Sequence, residues 1–258
     1  MTSAVLVSGL KAVLLLGSLL MVLKLYSTGL YHLYPIFFAF FIFRIPNSIW
    51  PLFLDVSSNL YLHVWVLTEP FEFGFYVLMV VELYKLVLEK YRGLYTLGRW
   101  ALYVSLAISV TISAISLIPR ITPSLPQQSK IMFSVVVAER GIQTGLALFI
   151  ILILCFLSLF PVKLSRNVRV HALVFSMFFL SSTFVLLMRT LFGMRLADQV
   201  NTIMLGISAA SVVAWLTLLR KAGEGSIRAP ILFSQEHESR LLAHLDSLNA
   251  ALLRVSSR

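Results

Sequence analysis

Six charged side chains lie deep inside long apolar stretches of this 258-residue sequence. They are Arg44, Glu69, Glu72, Glu139, Arg140 and Arg189. A charge at the centre of a membrane helix costs about 2.5–3.5 kcal/mol, so such residues pair with one another or face a polar cavity. Buried carboxylates bind cations or protons, and arginines bind anions. These six are therefore the candidate functional residues.

Polar side chains accompany the charges at helical spacing. Asn47 follows Arg44 by three residues, and Gln143 follows Glu139 by four. Residues three or four apart share a helix face, so each pair is expected to point into the bundle. The first two glutamates also share a face, and carboxylates one turn apart repel each other unless a cation lies between them.

The three acids and three bases match in number, which leaves two interpretations open. In the first, they form a closed ion-pair network that joins four helices. In the second, they line a polar pocket that is open to the outside. There Arg44 or Arg189 would bind an anion, or Glu69 and Glu72 would take up a proton or a cation. Left unpaired, the six charges would cost about 15–20 kcal/mol, so they are not expected to face lipid.

The composition indicates that lipid surrounds the elements carrying these residues. Hydrophobic residues make up 59% of the chain and charged residues only 12%, against roughly 25% charged in soluble domains. Several apolar blocks reach the ~20 residues that span the hydrocarbon layer. The net charge of +10 does not predict a nucleic-acid partner, because the basic residues lie between apolar blocks and in the tail. There they predict topology and contacts with anionic lipid.

Seven membrane spans are predicted from apolar blocks separated by clusters of Gly, Pro, Asn and Ser. The spans cover about 5–25, 33–54, 61–88, 101–118, 131–160, 170–192 and 200–219. The sequence therefore predicts an all-α, multi-pass helix bundle over residues 1–220. A cytoplasmic tail is expected over 221–258.

The distribution of basic residues predicts the orientation. Most lysines and arginines outside the spans lie on one side, in the loops near Lys24, Arg92 and Arg166 and in the tail. The other side carries Arg120, Lys130 and Arg195. Because cytoplasmic loops are enriched in Lys and Arg, the N-terminus is expected outside and the C-terminus in the cytoplasm. The expected location is a bacterial inner membrane.

Two further groups of residues lie toward the cytoplasmic side. Glu82, Lys85 and Glu89 are expected to form a solvated helix end. In the tail, leucines recur at four- and three-residue spacing and predict an amphipathic helix over about 235–256. These leucines are Leu241, Leu245, Leu248 and Leu252. The helix is expected either to lie on the membrane or to contact a second copy or a protein partner.

Motifs typical of enzymes are missing from the sequence. Its five histidines include no HxxxH or HExxH pair, and no serine stands in a GxSxG turn. There is no nucleotide-binding loop, and the seventh span has no lysine to form a retinal Schiff base. We therefore expect no catalytic residues, no metal and no cofactor, and we do not expect an enzyme.

Six short segments form a set that extends over most of the chain. They are Thr68-Glu69-Pro70, Glu82-Leu83-Tyr84, Leu97-Gly98-Arg99, Glu139-Arg140-Gly141, Leu164-Ser165-Arg166-Asn167 and Leu248-Asn249-Ala250. Together they resemble a group of small bacterial seven-helix membrane proteins, and the resemblance implies the fold and no activity. In helix count and cytoplasmic tail, the chain is also similar to the seven-helix membrane modules of bacterial sensor proteins.

The sequence favours a receptor-like or regulatory membrane protein. Ligand binding would rearrange the charged residues, and the tail would pass the change to a partner or a second copy. One alternative is a small secondary transporter or channel subunit that uses the carboxylates for coupling. Another alternative is a membrane scaffold or assembly factor.

Overall fold

The chain folds into helices throughout the part that the computed structural model describes. That part comprises residues 2–54, 58–88, 92–115, 127–159, 164–192 and 197–224, with Ala243, Asp246, Ser247, Asn249 and Ala250. Its seven α-helices are α1 (Thr2–Thr28), α2 (Pro35–Ile49), α3 (Asn59–Leu88), α4 (Arg92–Ile115), α5 (Gln127–Leu159), α6 (Arg166–Phe192) and α7 (Ala197–Leu218). Short 3₁₀ turns cover Leu30–His32, Trp50–Leu52 and Lys221–Gly223. The predicted all-helical fold is confirmed.

Four of these helices are long and apolar enough to cross a membrane. Their apolar segments are Val5–Thr28, Val137–Cys155, Arg166–Met188 and Asp198–Leu218. The apolar segments Pro35–Ile49 of α2 and Gly98–Ile112 of α4 are shorter. Large apolar side chains, such as Leu16 and Leu20 of α1, remain exposed on the outside of the bundle. These features indicate a membrane-embedded protein, while the count of seven spans and the orientation stay predictions.

Six helices form a closed ring. Around the ring, α1 packs against α2, α2 against α3, α3 against α5, α5 against α6, α6 against α7, and α7 against α1. Helix α4 lies outside the ring and packs mainly against α5. The end of α3 meets the start of α2, and the end of α1 meets the end of α7. We therefore distinguish the Glu69 end, where α1, α3, α5 and α7 begin, from the Arg166 end, where α2 and α6 begin.

Aromatic side chains fill the interior of the ring toward the Arg166 end. The centroid of the Phe37 ring lies 4.5 Å from that of His171 and 5.0 Å from that of Trp215, both in edge-on geometry. Such pairs contribute about 0.5–1.5 kcal/mol beyond the burial of their area. The aromatic cluster comprises five buried residues, Phe37, Phe41, His171, Phe175 and Trp215. The packed side chains of the aromatic cluster occupy the interior of the ring toward the Arg166 end.

Glu82 corrects the prediction of a solvated helix end. The residue is buried, and its carboxylate accepts hydrogen bonds from the N–H groups of Ile36 at 2.9 Å and Phe37 at 3.1 Å. These N–H groups belong to the first turn of α2, where backbone N–H groups have no acceptor within their own helix. Lys85 is exposed, as expected, and Glu89 lies outside the described residues. Glu82 therefore joins the end of α3 to the start of α2.

The segment that follows α7 is held against the starts of α2 and α6. Nδ2 of buried Asn167 donates to the carbonyl of Arg220 at 2.9 Å and to Oε1 of Glu224 at 2.7 Å. Oδ1 of Asn167 accepts from the N–H of Arg220 at 3.3 Å. The hydroxyl of Tyr34 donates to Oε1 of Glu224 at 2.6 Å. We call these four residues the tail junction, because the chain continues from it into the predicted tail.

Most of the predicted tail helix lies outside the described residues. The five tail residues that the structure describes are helical. The leucines on which the amphipathic prediction depends, Leu241, Leu245, Leu248 and Leu252, lie outside the described residues. The amphipathic helix, and a contact through it, therefore stay predictions.

Helices α1 and α7 approach closely at Gly17. A Cβ atom at this position would lie 2.6 Å from Cγ1 of Val212, which is fully buried. We expect Gly17→Ala to force the helices apart and to lower the free energy of unfolding by about 1–3 kcal/mol, measured by thermal unfolding in detergent. Val212→Ala removes the obstructing methyl group, so the double variant should lose less than the sum of the two single losses. Additive losses would contradict this explanation.

Candidate functional site

A polar cavity of about 300 Å³ lies inside the ring at the Glu69 end. All six ring helices line it, with Phe178 as the contribution of α6. Its charged and polar lining residues are Lys11, Arg44, Asn47, Ser48, Glu69, Glu72, Tyr76, Glu139, Gln143 and Ser208. This volume is at the lower limit of small-molecule sites, so the cavity suits a small polar ligand.

The structure brings together six of the eight residues selected from the sequence. Arg44, Asn47, Glu69, Glu72, Glu139 and Gln143 all line the polar cavity. Arg140 is partly buried and is not among the lining residues. The side chain of Arg189 lies outside the described residues. Thus residues from α2, α3 and α5 converge, as their helical spacing indicated.

Helix α3 contributes the largest set of side chains. Glu69, Glu72, Phe73 and Tyr76 follow one another at spacings that place them on one helix face, and all four line the cavity. Pro70 lies within the helix beside them and has no N–H to donate. The carbonyl of Val66, one turn earlier, therefore lacks its usual helical partner beside the two glutamates, while the helix continues through Pro70.

Glu72 is held between α2 and α3 by neutral donors. The hydroxyl of Tyr76 donates to its Oε1 at 2.5 Å, and Nδ2 of Asn47 donates to its Oε2 at 3.3 Å. Asn47 is oriented in turn by Trp50, whose Nε1 donates to Oδ1 of Asn47 at 2.8 Å. These bonds fix the position of the carboxylate without supplying a positive charge.

A second acceptor group lies on α5. Oε1 of Glu139 accepts from Nε2 of Gln143 at 3.1 Å, which directs the amide N–H toward the carboxylate. The other amide atom, Oε1 of Gln143, is buried and has no hydrogen-bond partner among the described residues. Gln143 is only 1% exposed, so bulk water does not satisfy this acceptor. A buried acceptor without a donor costs about 1–3 kcal/mol, which a bound donor would recover.

Cations are present at the cavity but do not neutralise the α3 glutamates. The guanidinium of Arg44 lies 5.4 Å from the centroid of the Phe40 ring, in a cation–π arrangement. Neither Arg44 nor Lys11 forms an ion pair with Glu69 or Glu72, all four of which are described. The charges nearest to Glu69 include those of Glu72 and Glu139. Among the described lining residues, three carboxylates face two cations.

Four of the ten charged or polar lining residues were not selected from the sequence: Lys11, Ser48, Tyr76 and Ser208. Tyr76 follows Glu72 by four residues, so the helical spacing already contained the signal that would have found it. Lys11 lies in the first apolar block, where a lysine near a helix end is ordinarily solvated by reaching out of the membrane. The chain matches no protein-family model, no curated protein and no solved structure with which it was compared.

Proposed function

We propose that this protein is a receptor-like binding protein of a bacterial inner membrane. Its polar cavity would accept a small organic cation that carries ammonium hydrogen-bond donors. The observation that supports this proposal is the set of acidic and amide side chains that line one cavity: the carboxylates of Glu69, Glu72 and Glu139, with Gln143 beside them. The ligand would enter from outside, because the polar cavity lies at the end of the bundle that the distribution of Lys and Arg predicts to be external.

The chemistry of the lining favours a cation over an anion. Carboxylates removed from water lose hydration, which a partner of opposite charge must replace. An ammonium group offers a positive charge to the carboxylates of α3 and several N–H donors to the acceptors that line the cavity. Each charge-assisted hydrogen bond contributes about 1.5–3 kcal/mol. Lys11 and Arg44 would contact an anionic group on the same ligand, if it has one.

The shape of the interior favours a binding pocket over a channel. Tyr76 lies at the cavity, and its ring centroid is 5.6 Å from that of Phe178 and 5.7 Å from that of Phe179. Beyond these rings the aromatic cluster fills the interior toward the Arg166 end. A ligand in the polar cavity would therefore meet packed aromatic side chains in its path.

Two helices connect the polar cavity with the opposite end of the bundle. Helix α3 carries Glu69 and Glu72 at the cavity and Glu82 at the first turn of α2. Helix α7 lines the cavity with Ser208 and ends beside the tail junction. A ligand that binds one arrangement of these helices more tightly than another would shift the population toward it. The tail would respond to that shift.

A binding measurement tests the proposed ligand class. We expect at least one of putrescine, choline, lysine and arginine to raise the unfolding temperature of the full chain in detergent, in proportion to its concentration. Glu69→Gln and Glu72→Gln should weaken that ligand's affinity about tenfold or more, because each removes a charged acceptor. Asp198→Asn is the matched control, since Asp198 is an exposed acid in the first turn of α7. Binding that is unchanged in Glu69→Gln, or no binding by any of the four compounds, would reject the proposal.

The ligand-free stability separates a binding pocket from a closed ion-pair network. In a pocket, Glu69→Gln removes a buried acid near Glu72 and Glu139, so the free energy of unfolding should stay the same or rise by up to about 2 kcal/mol. In a closed network the same change would leave a buried cation unpaired and would destabilise the protein. Thermal unfolding of Glu69→Gln without ligand distinguishes the pocket from the closed network, and Asp198→Asn is measured as the control.

A secondary transporter is the second candidate, supported by the proline between two carboxylates in α3. Irregular backbone beside acidic side chains is common at the ion sites of transporters. Uptake of the bound cation into proteoliposomes, abolished by Glu69→Gln, would favour transport. Binding without uptake would favour the receptor.

A further inference from the structure

A second, strongly basic groove lies at the Arg166 end. It has a volume of about 640 Å³ and runs between the start of α6 and the 3₁₀ turn after α7. We call it the basic groove, and its lining residues are Arg166, Arg169, Val170, Leu173, Arg220, Ala222 and Gly223. Three arginines therefore meet in one concave site that is separate from the polar cavity.

The positive charge of the basic groove is uncompensated. No side-chain ion pair or hydrogen bond involves Arg166, Arg169 or Arg220 within the described ranges. Glu224, in the neighbouring tail junction, already accepts bonds from Tyr34 and Asn167. Lys24 of α1 is close enough to Arg220 to repel it. The groove thus offers guanidinium groups to an anion that the described part of the protein does not supply.

An apolar surface continues from the basic groove along α6. Arg169 is followed by Leu173, Met177, Leu180 and Phe184 at spacings of three or four residues, so all five share one helix face. The four apolar side chains are between 44% and 64% exposed, on a helix apolar enough to cross a membrane. Acyl chains are the natural neighbours of this face.

We propose that the basic groove binds an anionic phospholipid, with the phosphate between the arginines and the acyl chains along α6. Guanidinium groups bind phosphate oxygens in pairs through parallel hydrogen bonds, which gives geometric selectivity as well as charge. The positive end of the α6 dipole, at Arg166, adds to the attraction. A soluble phosphate compound would use the arginines alone, whereas a lipid also uses Leu173. This proposal does not depend on the ligand of the polar cavity.

Lipid binding to the full chain in mixed micelles tests this proposal. We expect phosphatidylglycerol to raise the unfolding temperature more than phosphatidylcholine does at equal concentration. Arg169→Gln should weaken phosphatidylglycerol binding about tenfold, because it removes a charge-assisted contact. Arg99→Gln is the matched control: this exposed arginine lies on α4, outside the ring, and its loss should leave binding unchanged. Leu173→Ala should weaken lipid binding while leaving the arginines in place.

Three results would overturn the proposal. If Arg99→Gln weakens binding as much as Arg169→Gln, the attraction is a general effect of surface charge. If glycerol phosphate or inorganic phosphate protects the protein as well as the lipid does, the groove is a site for soluble phosphates. Equal protection by phosphatidylglycerol and phosphatidylcholine would exclude recognition of an anionic headgroup. Arg169 is exposed and its side chain makes no described contact, so its variant is expected to fold.

Discussion

Glu82→Ala is expected to lower the free energy of unfolding by about 2–5 kcal/mol. The substitution removes the acceptor of two N–H groups, those of Ile36 and Phe37, at the first turn of α2. Tyr34, at the N-cap position of that helix, makes no capping hydrogen bond that could replace it. Each N–H left buried without an acceptor costs about 1–3 kcal/mol. Tryptophan fluorescence during urea unfolding in detergent measures the loss.

Two matched variants isolate the capping role of Glu82. Glu82→Gln keeps one acceptor oxygen at the same place, so it should cost less than the alanine variant. Lys85→Ala alters an exposed residue one turn later and should change stability by less than about 0.5 kcal/mol. Equal losses for Glu82→Ala and Lys85→Ala would show that the two hydrogen bonds contribute nothing to stability.

Asn167→Ala is expected to lower the free energy of unfolding by about 2–4 kcal/mol and to loosen the tail junction. The substitution removes three hydrogen bonds, and two of its former partners are the backbone groups of Arg220. Limited proteolysis should then cut the chain near residues 219–224 faster than in the unaltered protein.

Two further variants, Asn167→Asp and Ser165→Ala, are compared with Asn167→Ala. Aspartate keeps the acceptor for the N–H of Arg220 but places a second carboxylate against Glu224, so we expect it to be at least as damaging as alanine. Ser165→Ala removes the hydroxyl that accepts from the N–H of Val168 at 3.3 Å and that also contacts the Tyr34 side chain, and it should cost less than Asn167→Ala because the three hydrogen bonds of Asn167 remain. If proteolysis is no faster in either Asn167 variant, the junction does not hold the segment.

Six of the ten charged or polar residues that line the polar cavity could be selected from the sequence, because two physical rules constrain where they lie. A charge in an apolar helix must avoid lipid, and helical spacing places Glu69 with Glu72 and Glu139 with Gln143. The ion-pair partners of these charges could not be predicted from the sequence in the same way. Equal numbers of acids and bases carry no information about distance, and Arg44 lies over the Phe40 ring without pairing with Glu69 or Glu72.

The interactions that could not be predicted from the sequence join parts of the chain that are far apart in sequence. Glu82 was expected in solvent because its own helix ends nearby, yet its partner N–H groups lie on α2, about 45 residues earlier. Asn167 and Glu224 are 57 residues apart and share no local pattern. Lys11 reaches the cavity only because α1 closes the ring between α2 and α7. Local spacing describes one helix at a time, so it cannot reveal such pairs.

The closure of the ring by α1 and α7 has a consequence for biogenesis. Helix α1 is synthesised before the other described helices, whereas α7 is the last of the six ring helices in the chain. Until α7 arrives, α1 has only one of its two neighbours, and the face around Gly17 that will meet Val212 is open to lipid. The polar cavity is therefore completed only after α7 has been synthesised, and a nascent chain arrested after α6 would carry its glutamates in a bundle that lacks one of its six helices.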